Sequence, residues 1–130
     1  MSKKVPPPPR PTDSELAIMR VLWDRGPSTV REVLEALNSR RDQALAYTTV
    51  LRFLQIMTEK RLVVRNEGER GHVYQPSVPA EQTRRHLVGD LMDRLFDGSA
   101  RDLVVQALGT HEVSPSEIRE IRKLLDEMES

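Results

Sequence analysis

Apolar side chains recur along this chain in helical spacing, then briefly in alternation, then in helical spacing again. Within AYTTVLRFLQIMTEKRL, residues 46–62, Val50, Phe53, Leu54 and Met57 stand at i, i+3, i+4 and i+7 and mark one face of a helix. Thr48, Arg52, Gln55 and Glu59 fall on another face of that helix, at i, i+4, i+7 and i+11. Two helices are predicted before it. Thr12-Asp13-Ser14-Glu15 has the spacing of a capping box, Leu16, Met19, Leu22 and Trp23 supply an apolar face, and Gly26-Pro27 predicts a left-handed stop. Thr29-Val30-Arg31-Glu32 repeats the box and opens a helix with Val30, Val33, Leu34 and Leu37 on one side, fading over residues 38–42.

The pattern then shortens. Leu62-Val63-Val64-Arg65-Asn66-Glu67 and His72-Val73-Tyr74-Gln75-Pro76 flank Gly68-Glu69-Arg70-Gly71, which predicts a hairpin with a glycine-bracketed turn. Three helices followed by a hairpin is the order of a winged helix-turn-helix, whose third helix enters the DNA major groove. After Pro79 only helical spacing returns. Leu87, Val88, Leu91, Met92, Leu95 and Phe96 form a broad stripe ending at Asp97-Gly98, and Leu103, Val104, Ala107 and Leu108 mark a short helix before Gly109. Ser114-Pro115-Ser116-Glu117 is a third capping box, with proline at the first helical position, and opens a last helix with Ile118, Ile121, Leu125 and Met128 along a seam. Three short helices bury such stripes poorly among themselves, so Leu87, Leu91, Leu95, Leu103, Leu108, Ile118, Ile121, Leu125 and Met128 are assigned to a homodimer interface. The alternative is that they fold back on the head as one domain. The expected fold class is mainly α with a small β-hairpin: a disordered Pro-rich basic arm over 1–11, a winged helix-turn-helix DNA-binding domain over 12–78, and a helical dimerisation domain over 79–130.

Composition changes this picture in two places. The 130 residues carry 20 basic and 20 acidic side chains, yet residues 1–78 hold 13 basic against 9 acidic and residues 79–130 hold 7 against 11. A basic head joined to an acidic tail suits a nucleic-acid-binding unit with a second job behind it. Cysteine is absent, which excludes disulfides and thiolate metal sites and agrees with a cytoplasmic location. No apolar run approaches the roughly 20 residues of a membrane helix, and no signal-peptide core opens the chain.

The candidate chemistry is recognition. Short hydroxyls, an amide and a guanidinium at Thr48, Thr49, Gln55 and Arg52 suit base edges and phosphates, with Arg52 the candidate for reading guanine. Arg40, Arg41, Lys60, Arg65, Arg70 and His72 are candidate contacts to the DNA backbone, attractive in proportion to low salt. Catalysis has no foothold: no glycine-rich phosphate loop or nucleophile elbow occurs, and His72, His86 and His111 fall in three predicted elements. No cofactor, metal or small-molecule substrate is expected. Two other readings stay open on the residues alone. One is a winged helix used as a protein-interaction module through Thr48, Arg52 and Gln55. The other is a ligand- or metal-responsive regulator using His86 and Asp90 at i, i+4.

TDSELAIMRVLWDRGPSTVREVLEAL, AYTTVLRFLQIMTEKRLV and GHVYQP together resemble the penicillinase-repressor (BlaI/MecI) family of bacterial regulators, over roughly residues 12–130. The resemblance implies a winged helix and a C-terminal dimerisation domain, a palindromic DNA operator as partner, and Thr48, Thr49 and Arg52 at the contacting positions of the recognition helix. It also implies a membrane sensor-protease that cleaves the C-terminal domain and lifts repression. Three departures stand out. Lys60-Arg61 replaces the family's Lys-Gly, which costs up to about 1 kcal/mol if that position needs positive φ. Gln106-Ala107 stands where the family's cleaved bond is Asn-Phe, and the copper-responsive branch's cysteine cluster is missing.

Overall fold

The computed structural model describes residues 10–69 and 71–130. The expected basic arm therefore lies, apart from Arg10 and Pro11, outside the described residues, as does Arg70. The elements are α1 (Asp13–Arg25), α2 (Val30–Asn38), α3 (Tyr47–Glu59), β1 (Val63–Gly68), β2 (Gly71–Pro76), α4 (Ala80–Leu95), α5 (Ala100–Thr110) and α6 (Pro115–Glu129). This is the expected order, mainly helical with one antiparallel hairpin.

Caps set the helix starts. Thr12 Oγ1 accepts the Glu15 N–H at 3.2 Å while Glu15 Oε1 accepts the Thr12 N–H at 2.9 Å, and Thr29 with Glu32 repeats both bonds at the head of α2. In α6 the forward half appears: Ser114 Oγ accepts the Glu117 N–H at 3.1 Å, with proline in the first turn. Gly26 ends α1 with its N–H on the Leu22 carbonyl at 2.8 Å. Its φ is positive, as expected, but φ 87°, ψ −165° lies outside the left-handed helical basin, in a region open to glycine almost alone.

The core sits under α1–α3 and the hairpin. Val30, Val33 and Leu37 of α2, Val50, Leu54 and Met57 of α3, and Leu62, Val63 and Tyr74 of the hairpin are buried together with Ile18, Met19 and Leu22 of α1. Side chains of this kind contribute about 1.5–3 kcal/mol each on leaving water. The buried face of α1 differs from the expected one. Leu16 and Trp23 are only partly buried, and the buried stripe is Glu15, Ile18, Met19 and Leu22, at i, i+3, i+4 and i+7. The face begins on a glutamate, so an apolar periodicity alone sets it one position off.

The hairpin pairs Val63 with Pro76 through to Gly68 with Gly71. A Cβ on Gly68 would stand 2.9 Å from Val73 Cγ2, and Gly71 has φ 104°, so both turn glycines answer a local constraint. A one-residue third strand completes the sheet: Ser28 and Tyr74 exchange N–H···O bonds at 2.9 and 2.8 Å. The bridge fastens the α1–α2 link to β2 and buries Ser28, whose Oγ donates to the Gly26 carbonyl at 2.9 Å.

Contacts divide the chain within α4, into a unit running through Leu87 and a unit of Val88–Ser130. The first unit reaches past the hairpin into α4, where Thr83 is still buried. Trp23 Nε1 donates to the Val78 carbonyl at 3.0 Å, holding the exit of the hairpin against α1. In the second unit no residue is buried, and Leu91, Leu95, Val105, Leu124, Leu125 and Met128 are exposed, Met128 at 81%. Among the described residues no helix is long and apolar enough to cross a membrane.

Candidate nucleic-acid interface

α3 carries two faces, with Phe53 of the expected apolar face only half-buried at its margin. Val50, Leu54 and Met57 point into the core, while Thr48, Thr49, Arg52 and Gln55 are exposed. The expected contact residues thus share the free side of one helix. The start of that helix has no side-chain cap: Ala46 offers none, and its carbonyl accepts the N–H groups of Thr49 and Val50 at 3.1 and 3.3 Å. First-turn N–H groups and the positive end of the helix dipole are therefore directed outward, an arrangement that favours an anion.

The turn ahead of α3 is held by Asn38, whose side chain bonds both the N–H and the carbonyl of Leu45. Arg40 and Arg41 sit exposed on this turn, and Arg41 Nε donates to the Gln43 carbonyl at 3.4 Å. On the hairpin, register places Arg65 opposite Tyr74 and His72 opposite Glu67. Directly opposed residues share a face, so Arg65 and His72 lie on one side of the ribbon, a side they share with Glu67. Both are exposed.

Lys60 differs from the other cations. Its ammonium donates to both carboxylate oxygens of Glu15, at 2.9 and 3.0 Å, with Lys60 31% and Glu15 2% exposed. Burial works against ionisation of Glu15. The Thr12 N–H, the Lys60 hydrogen bonds and charge, and the Thr12 hydroxyl outweigh it and hold the carboxyl below its ordinary value of 4.5. The last turn of α3 is a Schellman motif: Arg61 N–H reaches the Thr58 carbonyl at 3.1 Å and Leu62 N–H the Met57 carbonyl at 2.9 Å. Arg61 has φ 66°, so the positive-φ position expected from Lys60-Arg61 is real and is filled by arginine.

Two residues of this surface escaped the sequence reading. The Arg31 guanidinium lies 5.8 Å from the ring centre of Tyr47, the first residue of α3, in cation–π range. They line an open cleft of about 610 Å³ with Thr29, Leu51, His72 and Tyr74, bounded by α2, the first half of α3 and the hairpin tip. In sequence Arg31 is an interior residue of a capping box and Tyr47 stands near the head of a helical stretch; their pairing depends on how α2 and α3 cross. His86 is exposed, Asp90 accepts from Arg94 at 3.5 Å, and among the described residues no cluster of three or more His, Asp or Glu gathers around a metal-sized space.

A family model described as penicillinase repressor matches residues 11–127. A transcriptional regulator BlaI of Mycobacterium tuberculosis is 36% identical over 119 residues, covering 91% of this chain and 84% of the relative. A penicillinase repressor of Bacillus licheniformis is 23% identical over 119 residues, covering 92% and 91%. Among solved structures, the solution structure of monomeric Bacillus licheniformis BlaI in complex with the blaP half-operator superposes with a TM-score of 0.50 at 23% identity, over 58% of this chain and 89% of that one. That likeness is one of fold.

Proposed function

Because this chain belongs to the penicillinase repressor family, whose members are regulators and not enzymes, we propose that it is a DNA-binding transcriptional repressor acting as a homodimer on a palindromic operator. The observation that carries the reading is the exposed face of α3, where Thr48, Thr49, Arg52 and Gln55 stand opposite the buried Val50, Leu54 and Met57. A helix held by its apolar side and free on its polar side can enter a major groove. Arg52 would read guanine or grip a phosphate, Thr48 and Thr49 would meet bases, thymine methyls or phosphate at the uncapped helix start, and Gln55 would reach a base edge. Arg40 and Arg41 on the turn, and Arg65 and His72 on the hairpin, would attract the backbone on either side of that groove, as would the cationic side chain that the sequence supplies at Arg70.

Dimerisation is assigned to Leu87, Leu91, Leu95, Leu103, Leu108, Ile118, Ile121, Leu125 and Met128. From Val88 onward nothing is fully buried in the single chain: Leu103, Ile118 and Ile121 are half-covered, and Leu91, Leu95, Leu108, Leu125 and Met128 stand exposed. Two copies would place two recognition helices one helical turn of DNA or so apart, as palindromic half-sites require. Repression follows from occupying promoter DNA and needs no chemistry.

Derepression is assigned to cleavage in the C-terminal helices by a membrane sensor-protease. Gln106 and Ala107, exposed on α5, replace the family's Asn-Phe pair, so the masses of the fragments formed after β-lactam exposure locate the bond or show that none is cut.

A gel-shift assay with promoter DNA at two salt concentrations tests the DNA reading. Retarded complexes that weaken as salt rises are expected; migration of free DNA at both salts would overturn it in favour of a protein-interaction module.

A further inference from the structure

We propose that Lys60 is a positioning residue for DNA recognition, acting through buried Glu15 and not through a phosphate. The inference rests on the DNA-binding reading above. Lys60 closes α3, its N–H bonded to the Ile56 carbonyl at 2.9 Å, and its ammonium spends two of three donors on Glu15 at 2.9 and 3.0 Å. Glu15 is 2% exposed and already serves as the third residue of the α1 capping box. One carboxylate thus ties the first turn of α1 to the last turn of the recognition helix, across 45 residues of chain. At its other end α3 is held by the Asn38 clasp on Leu45. The two clamps set where the exposed face of α3 points.

Turning Lys60 toward DNA would strand an ionised carboxylate away from water, which is far costlier than losing a solvated phosphate contact. Lys60 therefore stays on Glu15 in the complex and releases no counterion from DNA. The misplacement of a base-reading face lowers specificity without changing the number of phosphates neutralised.

The test uses the full chain and two duplexes: one selected from a random pool by the wild-type protein, and a shuffled copy of it. E15Q keeps the capping box, since glutamine fills the same role, and frees the Lys60 ammonium. E15Q/K60M removes both charges and leaves none buried, so folding is kept; circular dichroism fixes a temperature at which every variant is folded. For both variants we expect the selected-over-shuffled affinity ratio to fall about tenfold, the loss of one good base contact; the salt slope should stay unchanged in E15Q/K60M, where no ammonium is left to reach a phosphate. K60R, able to grip the same carboxylate through two N–H groups, should keep the ratio near wild type. A slope reduced by about 0.9 in E15Q/K60M would make Lys60 a phosphate contact and overturn the proposal. An unchanged ratio in folded variants would reduce the pair to a stabilising contact and overturn it too. If the wild type binds both duplexes equally and without salt dependence, the DNA reading itself falls, a result recognisable before any variant is made.

Discussion

Asn38 grips Leu45 through both ends of its amide, Oδ1 accepting the Leu45 N–H at 2.8 Å and Nδ2 donating to the Leu45 carbonyl at 3.2 Å. The pair imitates a stretch of sheet between the end of α2 and the approach to α3, and it closes the turn bearing Arg40 and Arg41. Removing it leaves two part-buried backbone groups without partners. Asn38→Ala should destabilise the head by about 1–3 kcal/mol, read from urea unfolding. Asn38→Asp keeps the acceptor but sets a carboxylate oxygen against the Leu45 carbonyl, so it should also be less stable than wild type.

The Glu15 carboxyl, held below 4.5 by Thr12 and Lys60 against its burial, makes stability depend on acid. In the unfolded chain the carboxyl takes up its proton first as pH falls, so its contribution is complete above about pH 4.5 and is lost as pH drops through the lower folded value. Thermal midpoints of the wild type should fall across that window. In Glu15→Gln the fall should be shallower, because that carboxyl no longer titrates; equal acid limbs would count against the pair.

Arg61, at φ 66° where α3 ends, bears a strain that glycine would not. Its carbonyl also accepts a hydrogen bond from Ser77 Oγ, which fixes the corner where the helix meets the base of the hairpin. Arg61→Gly should stabilise the protein by up to about 1 kcal/mol. The expected signature is a raised urea midpoint with an unchanged slope.

Arg52 and Arg65 should separate by the kind of loss they cause. Arg52→Ala should cost about 1–3 kcal/mol on the preferred duplex and relax sequence preference, if the guanidinium reads a base. Arg65→Ala should weaken preferred and shuffled DNA alike and lower the salt slope by about 0.9. Fluorescence anisotropy titrations at several salt concentrations measure both quantities.

Leu125 is 56% exposed on α6 and lies on the proposed dimer seam. Leu125→Glu should weaken self-association by about 1.5–3 kcal/mol per copy through the lost burial alone, shifting the sedimentation profile toward monomer. The unfolding of the head should be unaffected, since no hydrophobic residue beyond Val78 packs into its core.

The order of elements was legible in the sequence because caps, helical periodicity and turn glycines act within a few residues of themselves. Thr12 with Glu15 and Thr29 with Glu32 set helix starts without reference to the rest of the chain, and Gly68 and Gly71 marked the hairpin turn. The free face of α3 was legible for the same reason: once Val50, Leu54 and Met57 are buried, Thr48, Arg52 and Gln55 must face outward. Tertiary structure alone decided which charge is buried and whom it meets. Glu15 opens the buried stripe of α1 only because Lys60, 45 residues away, neutralises it there. The Ser28–Tyr74 bridge, the Asn38 clasp and the Arg31–Tyr47 contact likewise depend on elements brought together by the core. Local conformation is a property of neighbouring residues, whereas the cost of burying a polar group depends on partners that only the folded chain supplies.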